Sequence, residues 1–199
     1  VIVAGLDTSL TSTGLVIVGT ADDYPRRVQL HRIESKAPIT GRDQKTGKKL
    51  PPTLKQRLDR ITDIEDRIVA RLSGVELVTI ESPSFGSVGS ASRDLAGLWW
   101  RVVGKVDQLG IPVAEVSPSG RIKYALGTGR GDKDRVLAAV IKRYPDLDVT
   151  GNDIADALVL AAMGARWLGN PIEDSLPANH VAAMDGAHWP AGANQLTTA

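Results

Sequence analysis

Residues 151–160, GNDIADALVL, open one of the most apolar segments of the chain, yet two aspartates, Asp153 and Asp156, stand three residues apart within it. Burying an acid is costly unless something neutralises it. Any fold that hides this segment must therefore also find partners for its charges. The chain begins with a similar combination: VIVAGLDTSLTSTG sets Asp7 at the end of a hydrophobic, strand-like stretch and just before a polar turn.

The elements around these acids are readable from periodicity. VIVAGLD reads as a buried strand, GLVIVG at 14–19 as its hairpin partner, and the alternating RRVQLHRIES at 26–35 as a third strand. Residues 36–53 are rich in Gly, Pro, Lys and Thr and have no period, which predicts a mobile basic loop. Leu54, Leu58, Ile61, Ile64, Ile68 and Leu72 form one stripe of a helix over 54–73. VELVTIES is a strand ending at Glu81, followed by a Gly/Ser-rich loop and a helix that stops at Gly110. IPVAEVSP is a further strand. SGRIKYALGTGRG at 119–131 contains a short helical or turn segment, and helices follow at 132–145 and at 152–169, the last with Asn152 or a neighbour as its N-cap. This order predicts an α/β domain over 1–169, with a central mixed five-stranded sheet and helices on both faces. The segment 170–199 is poor in aliphatic residues and is expected to be flexible or loosely packed.

The composition narrows the chemistry. The 199 residues include no cysteine, which excludes disulfides, thiolate metal sites and a cysteine nucleophile. No apolar run approaches a bilayer span and no secretory leader pattern opens the sequence, so a cytoplasmic protein is expected. The net charge is only +1, but its distribution is uneven. Arg32, Lys36, Arg42, Lys45, Lys48 and Lys49 face only Glu34 and Asp43, and seven basic residues between Arg121 and Arg143 face only Asp132 and Asp134. Local patches of this kind govern polyanion binding more than the total does. His31, His180 and His188 lack metal-ligand spacing and are assigned no catalysis.

Taken singly, Asp7 reads as a turn residue, Glu81 as a loop cap and Asp153 as a first-turn acid; Asp156, one turn inside an apolar helix, is harder to explain that way. Taken together they suggest a site. Asp7 and Glu81 end strands, where α/β sheets place their sites, and Asp153 and Asp156 share a helix face. If that helix crosses near the first and fourth strands, four carboxylates converge. Their repulsion is relieved by protonation or, better, by a divalent cation. Hard oxygen ligands suit Mg²⁺ or Mn²⁺, and two such ions roughly 4 Å apart can hydrolyse a phosphodiester.

At these residues the chain resembles the RuvC-type Holliday junction resolvases of the RNase H-like superfamily. The likeness is carried by strand–Asp7–turn–Gly14, VTIES with Glu81, DKDRVLAAV and DIADAL, in that order over about residues 1–168. It implies an RNase H-like fold, Mg²⁺ with Mn²⁺ as a substitute, and a metal-binding set of Asp7, Glu81, Asp153 and Asp156. It implies that Lys123 and Lys133 contribute to activity and DNA contact, or else pair with Asp132 or Asp134. It also implies a homodimer that nicks opposing strands of a four-way junction, leaving 5′-phosphate and 3′-hydroxyl ends. The helix at 93–109 would carry the dimer contact, with Trp99 and Trp100 either there or in the core. Phe85, in ESPSFGS, stands one place from where the family's junction-probing aromatic is found, and is either that wedge or simple packing. The long basic insert and the extra tail mark a divergent member, of phage or actinobacterial-phage origin.

The basic segments fit a polyanionic substrate read by shape. Arg42, Lys45, Lys48 and Lys49, with Arg121, Lys123, Arg130 and Lys133, would cradle phosphates without reading bases. Three other readings stay open. One is another RNase H-like nuclease, acting on RNA–DNA hybrids or as a transposase core. Another is a branched-DNA binder without catalysis. The third is an actin-like ATPase fragment, suggested by GLDTSLTSTG, although the duplicated domain that class needs is not seen in 199 residues.

Overall fold

A computed structural model describes residues 1–19, 28–83 and 90–191. Five strands form one sheet: β1 (Val3–Asp7), β2 (Ser12–Val18), β3 (Val28–Glu34), β4 (Leu77–Glu81) and β5 (Val113–Val116). Their order is β3-β2-β1-β4-β5. The three N-terminal strands are antiparallel neighbours, whereas β4 runs parallel to both β1 and β5. This is the mixed five-stranded sheet of an RNase H-like α/β fold. The six helices among the described residues are α1 (Leu54–Val69), α2 (Ser90–Gln108), α3 (Pro118–Leu126), α4 (Lys133–Arg143), α5 (Asn152–Trp167) and the short α6 (Ala178–Val181).

Alternation along the strands divides the core in two. Ala4, Leu6, Leu15, Ile17, Val78 and Ile80 face α1 and α2, where they meet Ile61, Ile64, Leu98 and Val102. Val3, Val16, Val18, Leu77, Ala114 and Val116 face the opposite way, onto α5. Successive strand residues point to opposite faces, so Gly5 and Asp7 share the face of Val3, and Glu81 shares the face of Leu77. Hydrophobic patterning thus aims both strand-end acids at α5.

Helix α5 is buried all round from Ile154 to Ala165, between the sheet and a layer built by α3 and α4. It sits so close to β1 and β2 that glycine is required beneath it. A Cβ on Gly5 would stand 2.0 Å from the Ala157 carbonyl oxygen, and one on Gly14 would stand 2.0 Å from that of Asp153. The helix begins at Asn152, and its N-cap is the neighbouring Gly151 at φ 103°, with no side-chain cap.

Three regions differ from the sequence expectation. On the α1 stripe, Ile61, Ile64, Ile68 and Leu72 are buried, but Leu54 is 79 % and Leu58 50 % exposed. At that level the contact with α2 is polar, an ion pair of Arg57 with Asp94. The basic loop is locally ordered: Asp43 accepts from the Lys45 and Thr46 backbone amides, and Arg42 bridges to Lys49. The segment after Gly169, expected to be loose, packs on the domain through 189. Buried Glu173 accepts from the Tyr124 and Tyr144 hydroxyls and from Arg166. Trp189 stacks on Trp167 with ring centroids 5.1 Å apart, and His188 exchanges two backbone hydrogen bonds with Glu115 on β5. Glu173 holds this segment together with scattered apolar residues, Ile172, Leu176, Ala183, Met184 and Trp189, whose spacing has no period to read.

Candidate active site

The C-terminal ends of β1 and β4 and the N-terminal end of α5 meet at an open cleft of about 530 Å³. Asp7, Glu81 and Asp153 line it, together with Arg32, Asn152 and Lys133. Asp156 lies behind this wall and is buried. The turn after Asp7 is fixed by buried Thr13, whose hydroxyl donates to the Ser9 carbonyl while accepting from the Ser9 amide. Glu81 is steadied from the other face, where the Trp99 indole N–H donates to its backbone carbonyl at 2.9 Å.

A single guanidinium joins the acids. Arg121, on the buried side of α3 with Tyr124 and Ala125, is only 5 % exposed. Its Nε donates to Glu81 and its Nη1 to Asp156. Burial works against the charged guanidinium, but Glu81 and Asp156 outweigh it and keep it firmly protonated. Asp7 has no hydrogen-bond or ion-pair partner among the described residues. Burial, then the charges of Glu81 and Asp156, push its carboxyl up to about 7, against the pull of Arg121 and Lys133. Burial also lifts Asp156 to about 6, although Arg121 opposes it.

Asp153 is held separately. Arg32 grips it with two hydrogen bonds, Nε to Oδ2 at 2.7 Å and Nη2 to Oδ1 at 3.0 Å, and the Ser12 hydroxyl donates to it as well. Burial alone would raise this carboxyl, but the Arg32 and Ser12 hydrogen bonds prevail and hold it below the usual carboxylate range. Arg32 reaches Asp153 because it pairs with Gly14 across the β2–β3 ladder, under the start of α5. The four acids therefore occupy one region, but Arg121 bridges Glu81 and Asp156, Arg32 holds Asp153, and Asp7 stands beside them with neither. Among the described residues no three of them stand as a ready ligand set for a metal ion.

The basic residues divide likewise. Lys133, first residue of α4, lines the cleft. Lys123 does not: it points to the other side of α3 and donates to the Ala182 carbonyl at 3.2 Å. Arg121 is buried among the acids rather than placed in an outer phosphate cradle. Arg42, Lys45, Lys48, Lys49 and Arg130 are exposed. Phe85 lies outside the described residues. Trp99 and Trp100 part company, 6 % and 68 % exposed. The pairing of Arg121 and Arg32 with the acids was missed in the sequence. The available signal was position: Arg121 stands three residues before a buried tyrosine on a helix, and Arg32 alternates with buried Ile33.

No family model matches the chain. Over 60 residues, 30 % of the chain, it is 40 % identical to the crossover junction endodeoxyribonuclease RuvC of Allorhizobium ampelinum. Over another 60-residue alignment it is 38 % identical to that of Rhizobium rhizogenes. The matched stretch spans about a third of the length of these relatives, 36 % and 35 %. Among solved structures, Thermus thermophilus RuvC superimposes with a TM-score of 0.58 at 19 % identity, covering 85 % of this chain and 98 % of that one. T. thermophilus RuvC in complex with a Holliday junction substrate gives 0.62 at 19 % identity, covering 95 % and 99 %. The chain thus has the fold of these resolvases, and homology to RuvC at low identity over part of its length. Among the described residues no helix is long and apolar enough to cross a membrane.

Proposed function

We propose that this protein is a divalent-cation-dependent endodeoxyribonuclease that acts on branched DNA, four-way junctions foremost. The observation that carries the reading is the meeting of Asp7, Glu81 and Asp156, from three separate elements, at a cleft rimmed by Lys133, with one guanidinium bridging Glu81 and Asp156. RuvC homology, low in identity and partial in coverage, supports the same class.

The residues fit a hard cation. Asp7 and Asp156 are raised well above the ordinary carboxylate value, a sign of surplus negative charge that a cation would relieve. The buried Asn152 Oδ1 in the cleft wall also has no hydrogen-bond partner. Asp7, Glu81, Asp153 and Asp156 would hold Mg²⁺ or Mn²⁺, one ion or two. Bound there, the cation supplies Lewis acidity for hydrolysis of a phosphodiester, with 5′-phosphate and 3′-hydroxyl products. Asp7 can hold or release a proton near neutral pH. Lys133 offers a cation to a phosphate at the cleft edge. The exposed turn with Arg42, Lys45, Lys48 and Lys49, together with Arg130, provides sequence-independent phosphate contacts. Lys123, turned to the far side of α3, would contact DNA only beyond the cleft. A homodimer on the α2 face, with exposed Trp100 as its anchor, would match a two-fold junction.

One competing reading draws on a specific observation. Arg121 and Arg32 already pair with three of the four acids, as a branched-DNA binder without catalysis would require. Cleavage decides between them. A synthetic four-way junction, a linear duplex and an RNA–DNA hybrid are incubated with Mg²⁺ or Mn²⁺, with and without EDTA. Chelator-sensitive nicking of the junction above the other two is expected. Junction binding without nicking in either metal would establish the binder instead, and preferential hybrid cleavage would move the protein to another RNase H-like class.

A further inference from the structure

The cleft holds a permanent cation of its own. An arginine cannot be deprotonated under ordinary conditions, and its planar fork addresses two carboxylates at once. Arg121 uses that fork on Glu81 and Asp156, which come from opposite walls of the site, a strand of the sheet and the helix above it. The Arg32–Asp153 pair is different. Arg32 retains a third of its side-chain exposure and lies at the cleft surface, so it can swing aside into water. Arg121 is enclosed beside Tyr124 and Ala125 and has no such exit. Asp7, without an arginine of its own, is the acid left open.

We propose that Arg121 is the resident counter-cation of the site: it positions Glu81 and Asp156 in the metal-free protein and competes with an entering divalent ion for the same two carboxylates. The inference rests on the divalent-cation reading above and adds a residue that tunes it. Arg121 is here a positioning residue, since its contacts are with the acids rather than with DNA. Two opposed effects follow from its removal. Without the guanidinium the acids repel one another, so the metal-free protein loses stability. The same acids become fully available, so the divalent ion binds more tightly.

The test uses the full chain with Mn²⁺ as the probe. Wild type, R121Q, R121K and D7N are titrated calorimetrically, and their Tm is followed in EDTA and in Mn²⁺. R121Q is expected to bind Mn²⁺ about tenfold more tightly than wild type, a difference of roughly 1.4 kcal/mol. It should also have a lower Tm in EDTA and a larger rise in Tm on adding Mn²⁺. R121K, with a single ammonium in place of the fork, should fall between. D7N should weaken Mn²⁺ binding, which locates the ion in the cleft. Equal or weaker Mn²⁺ affinity in folded R121Q overturns the proposal while leaving the nuclease reading intact. No D7N-sensitive Mn²⁺ binding in any variant overturns both. If R121Q does not fold, the wild-type protein still decides: the Arg121 Nε–H resonance, assigned by its loss in R121K, should move on addition of Mg²⁺. A resonance that stays in place at saturating Mg²⁺ overturns the competition.

Discussion

Gly14 on β2 and Asp153 on α5 meet backbone to backbone: a methyl group added at Gly14 would stand 2.0 Å from the Asp153 carbonyl oxygen. The approach is what lowers the start of α5 onto the ends of the strands and carries Asp153 and Asp156 toward Asp7. Gly14→Ala should therefore push the helix away. A loss of at least about 2 kcal/mol in urea unfolding is expected, because the clash is with backbone that cannot rotate aside. Nicking should fall with it. Wild-type stability in this variant would mean that the helix does not sit so low.

Asp7 makes a prediction about pH. Its carboxyl is raised from 3.8 to about 7, so between those values the folded protein holds a proton that the unfolded chain has released. Metal-free stability should accordingly fall as pH rises through this window, and the full penalty should be present above about pH 7. Asp7→Asn stays neutral throughout. It should be more stable than wild type at pH 8 by about 1–2 kcal/mol, a modest figure because the carboxylate is partly open to the cleft. The advantage should vanish near pH 4. Thermal unfolding in EDTA across pH 4–8 measures it, and the same variant should bind junctions but not nick them.

Arg32 controls the ionisation of Asp153. Arg32→Ala removes two hydrogen bonds from that carboxylate, and its pKa should climb, since burial then acts with less opposition. Carboxyl-carbon NMR titration reads the change directly. The pair is partly exposed, so the accompanying loss of stability should stay below about 1 kcal/mol.

Lys133 and Lys123 should behave differently. Lys133→Ala should slow single-turnover junction cleavage by about tenfold, the effect of losing one phosphate-facing cation at the cleft. Lys123→Ala should leave that rate within about twofold of wild type, because its ammonium caps the Ala182 carbonyl on the far side of α3. Equal defects in the two variants would contradict this assignment of the cleft edge.

The two adjacent tryptophans separate assembly from stability. In sedimentation velocity the wild-type protein should run as the proposed dimer and Trp100→Glu as a folded monomer. Trp99→Ala should instead cost about 3–5 kcal/mol of stability, since that ring fills the core under Glu81. A Trp100→Glu protein with unchanged mass would remove this face from the dimer proposal.

Much of this was legible in the residues themselves. The alternation of VIVAGLD and VELVTIES fixes which way Asp7 and Glu81 point, and the apolar run after Asp156 identifies the helix that must cover them. Less could be read of the cations. Arg121 stands 40 residues from Glu81 and Arg32 121 residues from Asp153, so neither pairing leaves a local pattern. Both residues belong to segments whose overall positive charge points to DNA, and only the packing shows that carboxylates take them up, Arg121 in the interior and Arg32 at the cleft surface. The segment after Gly169 was misleading for a related reason: its anchors are Glu173 and stacked Trp189, which periodicity does not count.

That segment also alters the outermost strand of the sheet. Where His188 exchanges hydrogen bonds with Glu115, the free rim of β5 has its donor and acceptor taken by the same molecule. An exposed rim is a template on which a second molecule can lengthen a sheet. The return of the chain to this point makes it a selvedge, woven off at one end, so that growth by strand addition there would first require unpicking the segment around His188.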